Sequence, residues 1–183
     1  MTESDAVTEL ELPTEGDVVD LILADHRKFE ELLRALRDSS SDRDAVRQAF
    51  STLHVAHAEA EEHKVYPTLR KKDAISEHEE EHGEHEHAEG HQALLNVLQA
   101  QNTDNEKFDE LVEELAKVVN HHMSEEELTI LNPAREEISD EVRQQLGSDF
   151  CAARNQLIED DCGRYEKVAE LVDQAQKQGL LEE

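Results

Sequence analysis

HAEAEEHKVYPTLR (residues 57–70) and HMSEEELTILNPAR (residues 122–135) carry one pattern twice. At equal offsets, His57, Glu61, Glu62, Tyr66 and Arg70 match His122, Glu126, Glu127, Leu131 and Arg135. Residues four apart on a helix share a face one turn apart, so His57 and Glu61 can serve the same or adjacent cations, as can His122 and Glu126.

Both stretches end apolar stripes that turn polar partway. One stripe runs Val46, Phe50, Leu53, His57, Glu61; the other runs Phe108, Val112, Leu115, Val118 or Val119, His122, Glu126. Steps of three and four place these residues on the buried face of amphipathic helices. Upstream, Ile22, His26, Phe29, Leu33 and Leu36 form a similar stripe with a His at its middle. Between the repeats, Leu94, Leu95 and Leu98 extend backwards to His91 and His87. Asp25-His26 matches Glu86-His87, so each half supplies one His from its first helix and a His-x-x-x-Glu from its second. Carboxylates on an apolar face cost several kcal/mol each unless paired, and this set therefore calls for a cation.

No segment alternates with the period of a strand, and the chain reads as all-α. Four helices of similar length joined by short polar turns predict an antiparallel up-down four-helix bundle over residues 14–135. Asp17 opens the first helix, Ser41 with Asp44 caps the second, and Thr103 with Glu106 forms a capping box for the fourth. Pro67 to Lys72 ends or kinks the second helix, and Asn132-Pro133 closes the fourth. Residues 136–183 form additional C-terminal helices, near 138–160 and 164–178, with a stop at Asp161-Cys162-Gly163 and no ligand cluster. They are expected to pack on the bundle. Residues 1–13 are acidic and aperiodic, and read as a disordered tail.

The formal charge of −28 repels phosphate backbones and anionic lipid surfaces, so nucleic acid and membrane are not expected as partners. No apolar run is long enough to span a bilayer and no signal-peptide pattern precedes the first helix, which predicts a cytoplasmic protein. Aliphatic content is only just sufficient for so charged a chain, and something besides hydrophobic burial should help hold the fold. Cys151 and Cys162 read as free thiols, with a redox relay to the polar centre as the sharper alternative.

The ordered set His26, His57-Ala-Glu-Ala-Glu61, His87, His122-Met-Ser-Glu-Glu126 resembles the hemerythrin-like (HHE cation-binding) domains, over residues 17 to about 135. The resemblance implies a non-heme di-iron centre in a four-helix bundle: two iron ions, oxo- or hydroxo-bridged, with Glu61 and Glu126 bridging. His87-Ala-Glu-Gly-His91 is similar to the His-x-x-x-His of the oxygen carriers, which adds His91 to the implied ligands. It also implies a small ligand, whether O2, peroxide or nitric oxide, in sensing, storage or stress defence. The alternatives are a peroxidase- or catalase-like di-iron enzyme and an iron buffer or donor; a partner protein or reductase is not specified. With His91 bound, one of twelve coordination positions stays open; without it two do, which favours turnover over reversible binding. The oxygen carriers place an Asp five residues after the last His, whereas His122 to Glu126 is a step of four. His121 would restore the five-residue step and is the alternative to His122.

Among the remaining candidates, His54, His63 and His121 read as surface or supporting residues, and Tyr66 as a half-buried core residue or a neighbour of the centre. His78 to His82 spells HEEEH, a formal match to a zinc-protease motif, but it lacks an apolar backing. It reads as a solvated face, and its His and carboxylates are suited to weak metal loading.

Overall fold

The Asp17 side chain accepts a hydrogen bond from the Val19 N–H at 2.9 Å and starts helix α1, Val18–Arg37. In this computed structural model, residues 7–181 are described. Helix α2 spans Arg43–Ala60, passes through a π turn at Glu61–Val65, and continues as α3, Tyr66–Lys71. Helix α4 spans Glu77–Gln99, and α5 spans Glu106–Glu126. A second π turn at Glu127–Leu131 leads into α6, Asn132–Glu137, followed by α7, Asp140–Glu159, and α8, Tyr165–Gln178. The described residues contain no strand.

Helices α1, α2, α4 and α5 close into a ring, with α1 on α2, α2 on α4, α4 on α5 and α5 on α1. The up-down bundle with extra C-terminal helices is the expected architecture. Its apolar core is in two parts. Phe29, Leu33, Phe50, Leu53, Leu94, Phe108 and Val119 fill one end. Val18, Ile22, Val65, Leu69, Ile130 and Phe150 fill the other. Helices α1 and α2 run from one part to the other, and the polar stripe residues His26, His57, Glu61, His87, His122 and Glu126 are buried in a layer between them.

Local details depart from the sequence reading. Asp42 caps α2, accepting from Ala45 N–H, where Ser41 was the expected cap. Asn105 caps α5 through the Phe108 N–H, and the Thr103–Glu106 box does not form. The box lies instead at Ser76 and Glu79, at the start of α4. Pro133 does not close the fourth helix, which runs on to Glu137. The π turns explain this: Tyr66 N–H bonds to the Glu61 carbonyl and Asn132 N–H to the Glu127 carbonyl, one residue before each proline. Widening the turn there accommodates a residue that has no N–H and crowds the preceding carbonyl.

Helix α7 packs on α1 and α2, and α8 on α4. The turn between them docks on α2, where the Ser51 hydroxyl donates to the Gly163 carbonyl at 2.7 Å. Gly163 is required by proximity: a Cβ there would fall 2.3 Å from the Thr52 nitrogen. The left-handed residue of this turn is Asp161, at φ 57°. Of the tail expected to be disordered, residues 1–6 lie outside the described residues, while residues 7–13 lie along the molecule. The Glu11 and Pro13 carbonyls accept from Arg154 and Asn155, and Val7 and Leu10 rest on the core. An acidic composition misses this because backbone carbonyls make the contacts. No helix among the described residues is long and apolar enough to cross a membrane.

Candidate metal centre

The polar layer resolves into two buried trios, His26 with His57 and Glu126, and Glu61 with His87 and His122. In each trio the ligand atoms lie within 4.8 Å of one another. The carboxylates link the trios. Glu61 stands 3.1 Å from His57 Nε2 through Oε1 and 3.2 Å from His87 Nε2 through Oε2. Glu126 Oε2 stands 3.1 Å from His26 Nε2 and 3.7 Å from His122 Nε2. Two donors bonded to one ion at about 2.1 Å lie about 3.0 Å apart at a right angle and about 3.4 Å apart at the tetrahedral angle. Three of the four separations fall between these values, and the fourth is slightly longer.

Four atoms of the layer are buried without a hydrogen-bond partner: His57 Nε2, Glu61 Oε1, His87 Nε2 and His122 Nε2. Each would cost about 1–3 kcal/mol if left so. One cation in each trio satisfies all four, and the residues present therefore fit metal.

Behind each of the four trio imidazoles stands a carboxylate. His57 Nδ1 donates to Asp25 at 3.1 Å and His122 Nδ1 to Glu86 at 3.0 Å. His26 Nδ1 donates to Glu127 at 2.8 Å and His87 Nδ1 to Glu62 at 2.8 Å. Such partners fix the ring so that Nε2 faces the centre, and raise its donor strength. The arrangement has the symmetry of the sequence repeat. Asp25 and Glu86 precede the first His of each half and serve the His of the next helix in the same half. Glu62 and Glu127 follow the trio Glu of each half and serve the first His of the other half.

Two residues beside the trios break this symmetry. Tyr66, matched by Leu131 in the other half, is fully buried, not half-buried as its sequence suggests. Its hydroxyl donates to Glu126 Oε1 at 3.0 Å and lies 3.4 Å from Glu61 Oε2. The ring stacks on His87 at 5.7 Å, and Gly83 leaves room for it, since a Cβ there would lie 2.9 Å from the tyrosine ring. The other asymmetric residue is Arg154 of α7, buried, which donates to both oxygens of Asp25 at 2.7 and 2.8 Å.

Electrostatics follow from this packing. Burial works to raise the Asp25 pKa, but His57 and Arg154 outweigh it and hold the carboxyl below its usual range. For His57, burial opposes the charge, yet Glu61 and Asp25 raise its pKa to about 10. His26 and His87 are raised in the same way by Glu126, Glu61 and their outer carboxylates. His122 is lowered by burial and the nearby His87. Burial, Glu126 and Glu61 push the Tyr66 hydroxyl well above its ordinary value, so it keeps its proton. Tyr66→Phe is expected to destabilise the metal-free protein by about 1–3 kcal/mol, because a buried carboxylate oxygen loses its donor. Urea unfolding measures this, and equal stability would remove the tyrosine from the site.

His91 is buried but belongs to neither trio. Its Nε2 has no partner, and its ring meets His54 edge-on at 5.1 Å. Burial, with His87 next, lowers its pKa to about 4. His54, read as a supporting or surface residue, is buried against Phe50 and Phe29. His63 and His121 are exposed, and it is His122 that enters the second trio. Cys151 and Cys162 are buried free thiols. Burial pushes Cys162 up to about 12, and its thiol donates to the Thr52 carbonyl, which disfavours the thiolate that exchange chemistry needs.

Sequence reasoning found the trios and missed the residues behind them. The repeated pairs Asp25-His26, Glu86-His87, Glu61-Glu62 and Glu126-Glu127 held the signal for four of these. Arg154 belongs to no repeat and had none.

The chain is similar to a protein named DNA nickase from Nostoc sp. (strain PCC 7120 / SAG 25.82 / UTEX 2576), 28% identical over 155 residues. That alignment covers 83% of this chain and 43% of the relative, so the chain spans less than half of the relative's length. No solved structure matches significantly. The sequence model of the hemerythrin HHE cation-binding domain matches residues 17–133, which contain both trios and all four outer carboxylates, and the chain belongs to that family.

Proposed function

We propose that the chain holds two iron ions, one in each trio, and reacts there with O2, peroxide or nitric oxide. The observation that carries this reading is the pair of buried trios whose unpartnered nitrogen and oxygen atoms converge while every Nδ1 is committed to a carboxylate. Iron suits a mixed imidazole and carboxylate set. Bound there, it would supply one- and two-electron chemistry toward a small oxidant.

The residues of the chain divide the remaining work. His26, His57, His87 and His122 offer Nε2, and their outer carboxylates hold the rings in place. Glu61 and Glu126 span the trios. Tyr66 keeps its proton on the hydroxyl and holds Glu126 Oε1, leaving Oε2 facing His26 and His122. Apolar residues on both sides of the layer limit water. A cleft of about 270 Å³ beside α8, lined by Glu62, His91 and Leu171, reaches the outer carboxylate of His87 but is lined by no trio residue.

The position of His91 outside both trios favours peroxide turnover over reversible O2 carriage, because it leaves more room at the second trio. Nicking of DNA is not carried over from the relative, since a net charge of −28 opposes a phosphate backbone. The test is metal analysis with an optical spectrum of protein from iron-replete cells, followed by anaerobic reduction and re-exposure to air. Two irons per chain with an iron charge-transfer band are expected, together with peroxide consumption by the oxidised form. Absence of iron, or zinc in its place, would overturn the reading.

A further inference from the structure

We propose that His82, Glu86 and His121 form a separate, solvent-facing site for a divalent cation, above the second trio. Glu86 is buried, and its two oxygens have different surroundings. Oε2 accepts from His122 Nδ1 at 3.0 Å, whereas Oε1 is buried without a hydrogen-bond partner. That oxygen is approached from two helices. His82 Nε2 of α4 lies 3.6 Å away and His121 Nε2 of α5 lies 3.4 Å away.

These separations are too long for the short contact of a charged imidazole with a carboxylate, about 2.7–2.9 Å. They match an intervening ion: at bond lengths of about 2.1 Å, a nitrogen and an oxygen at the tetrahedral angle lie about 3.4 Å apart. The three donor atoms do not lie within 4.8 Å of one another as those of the inner trios do. The imidazole side chains are 45% and 62% exposed, and binding calls for them to rotate until both nitrogens meet on one ion. One carboxylate oxygen and two imidazoles leave a fourth position to water, which suits zinc, ferrous iron and similar divalent ions. A carboxylate-rich surface concentrates such ions around it.

Position gives the site a further property. Glu86 would meet the outer ion through Oε1 and the ligand His122 through Oε2, so one carboxylate connects the outer ion to the second trio. An ion arriving from solvent is thus held one residue away from the inner centre, and the site serves as a loading station. The outer site stands on its own geometry, and only the loading role rests on the inner centre being metal-bound.

The test is equilibrium dialysis of the purified 183-residue chain against Zn2+, with zinc and iron counted in the same sample. Three proteins are compared: wild type, the double variant His82→Ala with His121→Ala, and the double variant His78→Ala with His85→Ala on the same helix. The expected result is one zinc per chain fewer in the His82/His121 variant, with inner metal unchanged, and no loss in the His78/His85 variant. The difference is one zinc whatever metal fills the trios, so failure of the inner reading would not conceal it. Equal zinc in wild type and the His82/His121 variant would overturn the site, as would equal loss in the His78/His85 variant. Should the double variant fold poorly, His121→Ala alone, at a largely exposed position, is expected to weaken zinc binding more than tenfold; unchanged affinity would again overturn the proposal.

Discussion

Arg154→Met is expected to lower the stability of the folded chain by about 3–5 kcal/mol, the usual cost of removing one partner from a buried ion pair. Asp25 is buried and receives two bonds from the guanidinium and one from His57. Without Arg154 its charge faces His57 alone, inside a core where Phe150 stands edge-on to the His57 ring at 6.0 Å. The loss also reaches the centre. An Asp25 no longer neutralised by arginine makes His57 more basic, so Nε2 takes up a proton more readily, and that Nε2 proton competes with metal at the first trio.

Arg154→Lys restores charge but not the planar two-toothed contact, so it is expected to recover only part of the stability. In the double variant Arg154→Met with Asp25→Asn the buried charge is gone, and the combined cost should fall below the sum of the single costs. Urea unfolding with metal analysis measures these three variants and Asp25→Asn alone. A single variant as stable as wild type, with full metal content, would reduce α7 to simple packing.

The contrast between Arg154 and the trios shows what this sequence made legible. The trio residues interrupt apolar stripes at helical spacing, and they occur twice, so each half checked the other. The same logic reaches Asp25, Glu62, Glu86 and Glu127, although adjacency to a ligand does not reveal which imidazole each will face. That depends on how α1, α2, α4 and α5 pack. Tyr66 could be placed within one turn of Glu62, but its burial depends on the space left by Gly83 on another helix. Arg154 lies outside the repeat, on a helix whose apolar positions gave only a packing face. Its role arises from a contact between residues 129 positions apart. Asp17 caps the first helix as expected, whereas the caps of the second and fourth failed for a smaller reason: neighbouring Ser, Asp, Thr and Asn compete for the same orphan N–H groups, and a residue or two of drift changes the winner.

Removing the metal is expected to lower the melting temperature by about 10 °C or more near neutral pH, since four buried atoms at about 1–3 kcal/mol each lose their partner and each kcal/mol moves a chain of this size by about 2–4 °C. The gap between loaded and metal-free protein should widen as pH rises. In the metal-free fold the His57 pKa is raised from 6.5 to about 10, and His26 and His87 move in the same direction. A raised pKa contributes stability that is fully present below 6.5 and is lost as pH climbs toward the folded value. The metal-free form therefore weakens from about pH 7 upward, as the protons that offset Glu61, Glu126 and Asp25 leave. Glu61 acts oppositely: its pKa is lowered well below 4.5, so its contribution is present above that pH and lost in acid. His54, His91 and His122 have lowered values and penalise the fold in acid, which confines the metal-free optimum to the region near neutrality. Metal requires the same Nε2 atoms unprotonated, so its binding strengthens over the interval in which the metal-free fold is losing those protons. Melting curves of chelated and iron-loaded protein from pH 6 to pH 9 make the comparison. A gap that narrows with rising pH would mean that protons and metal do not compete for the trios, and would locate the metal elsewhere.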